Sequence, residues 1–556
     1  MARSVACPKT ETESLRLTVL PAGIEVSARP AETVRQALER AGFEVLQPCG
    51  GDGLCGKCRV IAEGPNLPPP TAHRHLSEDQ ARQGWRLACQ LPVTGNLTVR
   101  LTDDWRRVTP AGSARSRPIS DEPVQPQGGL RRTESESTDA AVAAKGLAVD
   151  LGTTTLVATL VSLGTGDELA TVSTPNPQVR FGQDVMSRIQ RGSSPEGLAE
   201  LNGVIAGALD SVVSELCRVA RSDRQEITDV VLGGNPTMLQ LAAGMDPNPL
   251  GQAPFVVDIQ GGRDFAAQTF GLSLSPRARA YIPPITHAFV GSDISAGLLV
   301  AQGFFDGSDP VLFVDIGTNG EMVLRSRQTF LSASTAAGPA FEGGGLRCGM
   351  PAISGAVANV RLRGGDVVLG CVDEARPRGL CGSGVIDLVA VLLETGVVDA
   401  TGRMVRPGAA SDLSPSLQAR LDEVSGQPAF RLAEDVVFTQ EDVRQVQLAK
   451  GAVRTGIDLL LAETDVPPAR LVLAGGFGTH LDRRSLAVIG MVPPELAQNA
   501  VLAGNTSRSG CVRLLQAPAL RHELETRMQQ VGYLSLIDCT DYMDRFVANM
   551  EFACPS

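Results

Sequence analysis

Cys49, Cys55, Cys58 and Cys89 stand in the spacing C-x5-C-x2-C-x30-C, the first three within Pro48-Cys49-Gly-Gly-Asp-Gly-Leu-Cys55-Gly-Lys-Cys58. Four thiolates grouped this way can hold a [2Fe–2S] cluster. The plant-type arrangement is C-x4-C-x2-C with a distant fourth cysteine, and this chain adds one residue to the first gap. The interleaved glycines let the backbone wrap closely and aim N–H groups at sulfur, hydrogen bonds that tune a cluster's potential. The alternative is zinc held by four cysteines. Zinc modules usually present two C-x2-C knuckles, whereas Cys89 stands alone. The other eight of the twelve cysteines are scattered, mostly through apolar or Gly-rich segments, and read as small core residues.

A second set of residues occurs twice. Gly146-Leu-Ala-Val-Asp150-Leu-Gly152-Thr153-Thr154-Thr155 echoes Val311-Leu-Phe-Val-Asp315-Ile-Gly317-Thr318-Asn319-Gly320. Each is an apolar strand ending in Asp, then Gly-Thr, then a second and a third strand-like run. Such a loop can embrace phosphates: Gly lets the backbone approach, and Thr hydroxyls and backbone N–H groups donate to phosphate oxygens. The aspartates Asp150 and Asp315 can hold hydrated Mg²⁺ or orient an attacking water. Two such loops facing each other would clamp a triphosphate, which points to ATP. A third turn, Leu471-Val-Leu-Ala-Gly475-Gly476-Phe-Gly478, could lie flat against an adenosine. Gly379-Leu-Cys-Gly382-Ser-Gly384 reads as a turn opening a helix. His287 and His480 are lone histidines, read as structural.

The elements that must position these residues belong to a chain of 556 residues, 43% apolar and 20% charged, with net charge −11. At about 150 residues per domain this is a prior for three or four domains. An acidic chain lacks the basic footprint of a general nucleic-acid binder. No apolar run reaches 18 residues, which predicts no transmembrane helix, and the polar start predicts no secretory leader, so the expected location is the cytoplasm. After a tail over 1–14, residues 15–105 read as a compact α+β unit. It has a hairpin over 15–20 and 24–27, a helix over 32–41 with Gly42 at its C-cap, and a closing strand over 97–101. Residues 106–144 are rich in Pro, Gly, Ser, Arg and acidic residues, the composition of a flexible tether. A chain of about 35 such residues spans about 30–35 Å on average. From 145 onward strands and helices alternate, and the duplication predicts a two-lobed α/β domain, with lobes over 145–310 and 311–556.

The N-terminal segment resembles a 2Fe–2S ferredoxin of the β-grasp type over about 85 residues. The order of two phosphate loops and a glycine turn resembles the ASKHA superfamily of sugar kinases, heat-shock chaperones and actin, whose duplicated lobes are RNase H-like. More specific strings fill the domain: Asn176-Pro-Gln-Val-Arg-Phe-Gly-Gln-Asp-Val-Met-Ser-Arg-Ile189, Gly234-Asn-Pro-Thr-Met238, Phe289-Val-Gly-Ser-Asp293, Ala337-Gly-Pro-Ala-Phe-Glu-Gly343 and Gly504-Asn-Thr-Ser-Arg-Ser-Gly510. With the ferredoxin head, they resemble the reductive activators of corrinoid proteins and corrinoid-dependent methyltransferases, over about 15–105 and 145–552. The resemblance implies an ATP-dependent enzyme that passes one electron from a [2Fe–2S] cluster to a corrinoid, returning Co(II) to Co(I). It implies Cys49, Cys55, Cys58 and Cys89 as cluster ligands. It assigns Mg²⁺ and ATP to the loops around Asp150 and Asp315 (Gly152, Thr153, Thr154, Gly317, Thr318, Asn319), with Gly475, Gly476 and Gly478. The implied partners are a corrinoid protein or methyltransferase and an upstream donor (a reductase, ferredoxin or flavodoxin), with neither nucleic acid nor membrane; a homodimer is compatible with it.

Two departures matter. The polar stretch of about 40 residues cannot form the small extra domain that some relatives carry there. The tail has only Cys539 and Cys554, too few for the C-terminal four-iron cluster of others, so the electron is expected to pass through the N-terminal cluster alone. Two alternatives remain at this stage: a small-molecule kinase of the same superfamily with a redox-sensing head, and an electron-transfer component of an oxygenase.

Overall fold

Strand β1 (Leu15–Leu20) turns Leu17 and Val19 wholly into the interior, as its alternation requires. It pairs antiparallel with β2 (Ile24–Ala28), Leu17 opposite Val26. These are the first elements of a computed structural model that describes residues 15–101, 105–107 and 144–553, apart from 30–31, 42, 46–57, 66, 69–75, 77, 183, 302, 306–308, 410–411, 425 and 477–480. The chain divides into two units, one of residues 1–116 with 178–183 and the other of 117–177 and 184–556.

In the first unit the helix Val34–Arg40 starts on a capping box, Thr33 with Gln36, and buries Val34, Ala37 and Leu38. The expected C-cap Gly42 lies outside the described residues; Ala41 is the C-cap. Strands β3 (Phe43–Val45), β4 (Arg59–Glu63), β5 (Trp85–Leu87), β6 (Leu97–Leu101) and β7 (Trp105–Arg107) follow. One sheet runs β2-β1-β6-β4-β5, with β1 and β6 parallel, and β3 pairs with β7. A helix laid on a mixed sheet is the expected β-grasp arrangement. The polar stretch read from 106 begins later than its composition suggests: Arg106 and Arg107 pair with Glu44 and Phe43, and 108–143 lie outside the described residues.

In the second unit the first lobe contains β8 (Lys145–Leu151), β9 (Thr155–Ser162), β10 (Glu168–Pro175), β11 (Ile227–Gly234), β12 (Arg263–Ala266) and β13 (Arg279–Ile282), in the order β10-β9-β8-β11-β13-β12. The second lobe repeats this plan with β14 (Val311–Ile316), β15 (Gly320–Arg325) and β16 (Phe330–Thr335). Two small three-stranded sheets come between, of β17 (Ala356–Arg363), β18 (Asp366–Cys371) and β19 (Gly379–Leu380), then β20 (Leu421–Val424), β21 (Gln427–Ala433) and β22 (Val436–Thr439). The main sheet is completed by β23 (Arg470–Ala474), β24 (Ala500–Gly504) and β25 (Gly532–Tyr533), in the order β24-β23-β14-β15-β16-β25. In both lobes the first three strands form an antiparallel meander. The fourth (β11 or β23) then lies parallel to the first on its other side, and β13 or β24 lies parallel to that strand in turn; β12 adds an antiparallel edge strand in the first lobe. The repeated sequence is thus a repeated fold.

Apart from Lys145 and the aspartates Asp150 and Asp315, central strands β8 and β14 are apolar, because helices cover both faces of each sheet. The helix Pro195–Ala220 packs on β9 and β10, and the helix Gln440–Ala462 on β15 and β16. The helix Thr506–Gln516 follows the second lobe's last central strand, yet packs on β8, β9 and β11 of the first lobe and on the helix Ser292–Leu298. The crossing is close: a Cβ at Gly510 would lie 1.9 Å from the Ala296 carbonyl oxygen. One apolar core therefore joins the lobes, from Ala148 and Val231 through Cys511 and Leu514 to Phe313 and Val472. Among the described residues no helix is long and apolar enough to cross a membrane.

Candidate functional site

Cys58 immediately precedes β4, and Cys89 lies in the short helix Ala88–Gln90 immediately after β5. The two strands pair with Arg59 opposite Leu87, and the Ala88 N–H donates to the Cys58 carbonyl at 2.8 Å. Residues 31 apart in sequence are thereby held side by side. Both cysteines are buried, in the core with Leu38, Val60 and Leu87. The Gln90 side-chain amide lies 3.8 Å from the Cys89 sulfur as a donor, the kind of bond a cluster thiolate accepts. Soft, buried sulfur donors backed by an amide fit a [2Fe–2S] group. Cys49 and Cys55, the other two expected ligands, lie outside the described residues.

The phosphate-type loops begin one residue before the ends of their strands, Asp150 in β8 and Asp315 in β14. Each loop closes with a glycine N–H: Gly152 donates to the Thr155 carbonyl at 3.1 Å, Gly317 to that of Asn319 at 2.8 Å. Each is also tied down from the end of its third strand. The Asn176 N–H reaches the Thr154 carbonyl and the Gly338 N–H the Thr318 carbonyl, both at 2.8 Å. The first loop has further supports. Asn176 donates to the Gly152 carbonyl at 2.8 Å, Asn235 to the Thr153 hydroxyl at 3.0 Å, and the wholly buried Arg188 to the Thr153 carbonyl at 2.6 Å.

The two loops meet. Thr154 Oγ1 and Thr318 Oγ1 are 3.3 Å apart, and both hydroxyls donate to Glu342, Thr154 at 2.9 Å and Thr318 at a shorter distance. Asp150 is held by Asn505 Nδ2 and Ser507 Oγ, each at 2.7 Å, from the start of the helix Thr506–Gln516. Asp293 opens the helix Ser292–Leu298 from the other side.

Asp150, Asp293, Asp315, Glu321 and Glu342 thus form one cluster of interacting carboxylates. Glu321 is buried and the others are partly so. Desolvation pushes every one of their carboxyl pKa values up. Asp293 rises to about 7, with Asp150 adding repulsion, and Asp315 to about 8, with Asp293, Asp150 and Glu342 adding theirs. Glu321 is pushed well up too, with Asp293 and Asp315 adding repulsion, while the bonds from Ser507 and Asn505 partly offset the rise at Asp150. Such crowded carboxylates call for a cation. Hydrated Mg²⁺, which keeps waters and takes phosphate oxygens beside one or two carboxylates, is a cation of the right kind.

Gly475 lies beside the second loop. Its φ of +127° is in the region glycine alone adopts readily, and a Cβ there would sit 2.3 Å from the Ile316 carbonyl oxygen. Gly476 faces open space, while Gly478 and His480 lie outside the described residues. Gly382 does open a helix, Gly382–Glu394. His287 stacks on Tyr533, ring centroids 3.5 Å apart and planes 6° apart, and desolvation lowers its pKa. Asp293, Glu321, Glu342, Arg188, Asn505 and Ser507 had no role assigned from sequence. Five of the six lie within the specific strings quoted above, which were the available signal; Glu321 does not.

Three family descriptions match the chain: "2Fe-2S iron-sulfur cluster binding domain" over residues 17–94, "RACo middle region" over 145–303, and "C-terminal domain of RACo the ASKHA domain" over 309–554. The corrinoid activation enzyme RamQ of Eubacterium limosum is 33% identical over 360 residues, 63% of this chain and 60% of that protein. The chain thus matches less than two thirds of that relative's length. A Methanosarcina barkeri protein described as [Co(II) methylated amine-specific corrinoid protein] reductase is 24% identical over 396 residues, 65% of this chain and 68% of the other. A solved structure described as "Reductive activator for corrinoid,iron-sulfur protein" superposes with a TM-score of 0.69 at 27% identity, covering 97% of this chain and 98% of that one.

Proposed function

We propose, from the premise that this chain belongs to the RACo family of ferredoxin–ASKHA activators, that it uses ATP to return an inactive corrinoid protein from Co(II) to Co(I). The observation that carries this reading is the pairing, on one polypeptide, of a cysteine-lined β-grasp unit with two facing phosphate loops. Both parts have counterparts over nearly the whole length of a solved reductive activator. The comparisons favour neither a small-molecule kinase nor an oxygenase component.

Cys49, Cys55, Cys58 and Cys89 would hold a [2Fe–2S] group, which would supply electrons one at a time. The packing around Cys58 and Cys89 keeps water from those two sulfurs. In the second unit Thr153, Thr154, Thr318 and Asn319, with the backbone at Gly152 and Gly317, would bind the phosphates of ATP. Asp150 and Asp315 would bind Mg²⁺ through its waters. Asp293, with a pKa near 7, is suited to orient a water or take a proton at the terminal phosphate. Gly475 and Gly476 would leave room for the adenosine.

Reducing Co(II) from a ferredoxin-level donor is uphill, and each 59 mV of a one-electron gap is about 1.4 kcal/mol. The second unit would narrow that gap by binding the Co(II) form of the partner with its lower cobalt ligand released, under control of the nucleotide. An upstream one-electron donor would recharge the first unit. The test is anaerobic: full chain, reductant and a Co(II) corrinoid protein, followed by the absorbance of Co(I). Rapid Co(I) formation with MgATP and little without it is expected. Equal rates with and without MgATP would rule the coupling out.

A further inference from the structure

The Glu342 carboxylate sits where the two phosphate loops touch. It accepts from Thr154 Oγ1 of the first loop at 2.9 Å and from Thr318 Oγ1 of the second, and a Cβ on Gly317 would lie 3.6 Å from its other oxygen. A hydroxyl has one O–H to give. Both hydroxyls give it to Glu342, and an ionised phosphate can only accept. A phosphoryl group seated between the loops therefore competes with Glu342 for the same two donors. Beyond these hydroxyls, the charges facing Glu342 are those of Arg188, which lies under the first loop, and of Asp315. Once the hydroxyls turned away, the carboxylate would be left short of hydrogen bonds and beside a polyanion, so it would have to withdraw.

The local backbone can let it withdraw. Glu342 ends the short helix Pro339–Glu342, and the flanking Gly338 and Gly343 have φ of 80° and 77°. The segment packs on the helices Gly382–Glu394 and Gln440–Ala462 of the second lobe. We infer that Glu342 is a built-in competitor for the nucleotide's terminal phosphate, whose displacement passes the arrival of ATP to the 338–345 turn and the helices beneath it. This deepens, and rests on, the reading of the two loops as an ATP clamp.

The test is nucleotide affinity of the full chain, measured by calorimetry with MgATP, MgADP and a non-hydrolysable ATP analogue. Glu342→Gln keeps the shape but gives up the charge. Glu342→Asp keeps the charge but draws it back by one methylene. Both variants should bind the ATP analogue about tenfold more tightly than the wild type, because a charged acceptor holds a donor more strongly than a neutral or a distant one. MgADP affinity should change less than twofold. In the wild type, hydrogen exchange across 338–345 should rise when the ATP analogue binds and stay unchanged with MgADP. Unchanged or weaker binding of the ATP analogue by both variants overturns the inference and makes Glu342 a strut of the loops. If the wild type binds no nucleotide, the ATP clamp itself is wrong, a result distinct from the first.

Discussion

Asp150 and Asp315 come from the same place in a duplicated unit but differ in their surroundings. Asp150 is hydrogen-bonded by Asn505 and Ser507, whereas Asp315 faces other carboxylates. Asp150→Asn and Asp315→Asn should each lower ATP-dependent Co(II) reduction more than about 100-fold, while Ser507→Ala, which only orients Asp150, should lower it about 10–100-fold. The visible spectrum of the iron–sulfur unit should be unaffected in all three; bleaching would show that the two sites are not independent. In contrast, Cys58→Ser should bleach it and Cys348→Ser should not. The raised pKa values also make a prediction about pH. The folded chain keeps the Asp315 proton up to about pH 8, whereas the unfolded chain releases it near 4. The stability linked to that proton is whole below pH 4 and is lost as pH rises toward 8. These carboxylates titrate together, so the loss belongs to the set. Calorimetry from pH 6 to 8.5 should show the melting temperature of the second unit falling with pH, less steeply in Asp315→Asn, and Mg²⁺ with nucleotide should reduce the fall. Parallel slopes for wild type and variant would rule out Asp315 as the source.

At the scale of elements, strands were far more legible than the contacts between them. Apolar runs ending in Asp-x-Gly-Thr marked β8 and β14, and their repetition marked the two lobes, because a strand and its turn are local properties. What brings Glu342 onto Thr154, 188 residues away, is the packing of two lobes, and no local pattern encodes it. The same holds for Lys450. This lysine is buried in the helix Gln440–Ala462, its Nζ donating to the Glu551 carbonyl under the Phe552 ring, and burial lowers its pKa to about 7. The sequence shows only a lysine in an amphipathic helix. The third glycine turn separates packing from binding. Gly475→Ala should destabilise the second unit by about 1–3 kcal/mol, since its φ and the Ile316 carbonyl both oppose a Cβ. Gly476→Ala, beside open space, should leave the melting temperature nearly unchanged and alter only nucleotide affinity. A large thermal loss in Gly476→Ala would contradict this division of roles.

At the scale of the molecule, the proposed function would have the two units divide the labour between carrying the electron and recognising the partner. A fragment over 145–556 should bind a Co(II) corrinoid protein and shift its visible spectrum without reducing it, and the isolated N-terminal unit should accept electrons without reactivating the partner. Reactivation by the N-terminal unit alone, at the rate of the full chain, would remove the second unit from recognition. Deleting about 25 residues within the polar stretch 106–144 should slow Co(I) formation more than it weakens partner binding, because reach is lost while the contact surface stays intact.

The helix that returns from the second lobe to the first has a consequence for how the protein is made. Asp150 and Ser507 are 357 residues apart, and their bond is formed across nearly the whole second unit. The cysteine-bearing unit is complete on the ribosome before either lobe of the second unit has been made. The first lobe, by contrast, leaves the exit tunnel without the helix that covers its sheet, and must wait with an exposed apolar face until Thr506–Gln516 has been made. Termination before residue 505 would therefore yield chains in which Asp150 lacks its partners Asn505 and Ser507 and the first lobe's apolar face stays open, prone to capture by chaperones.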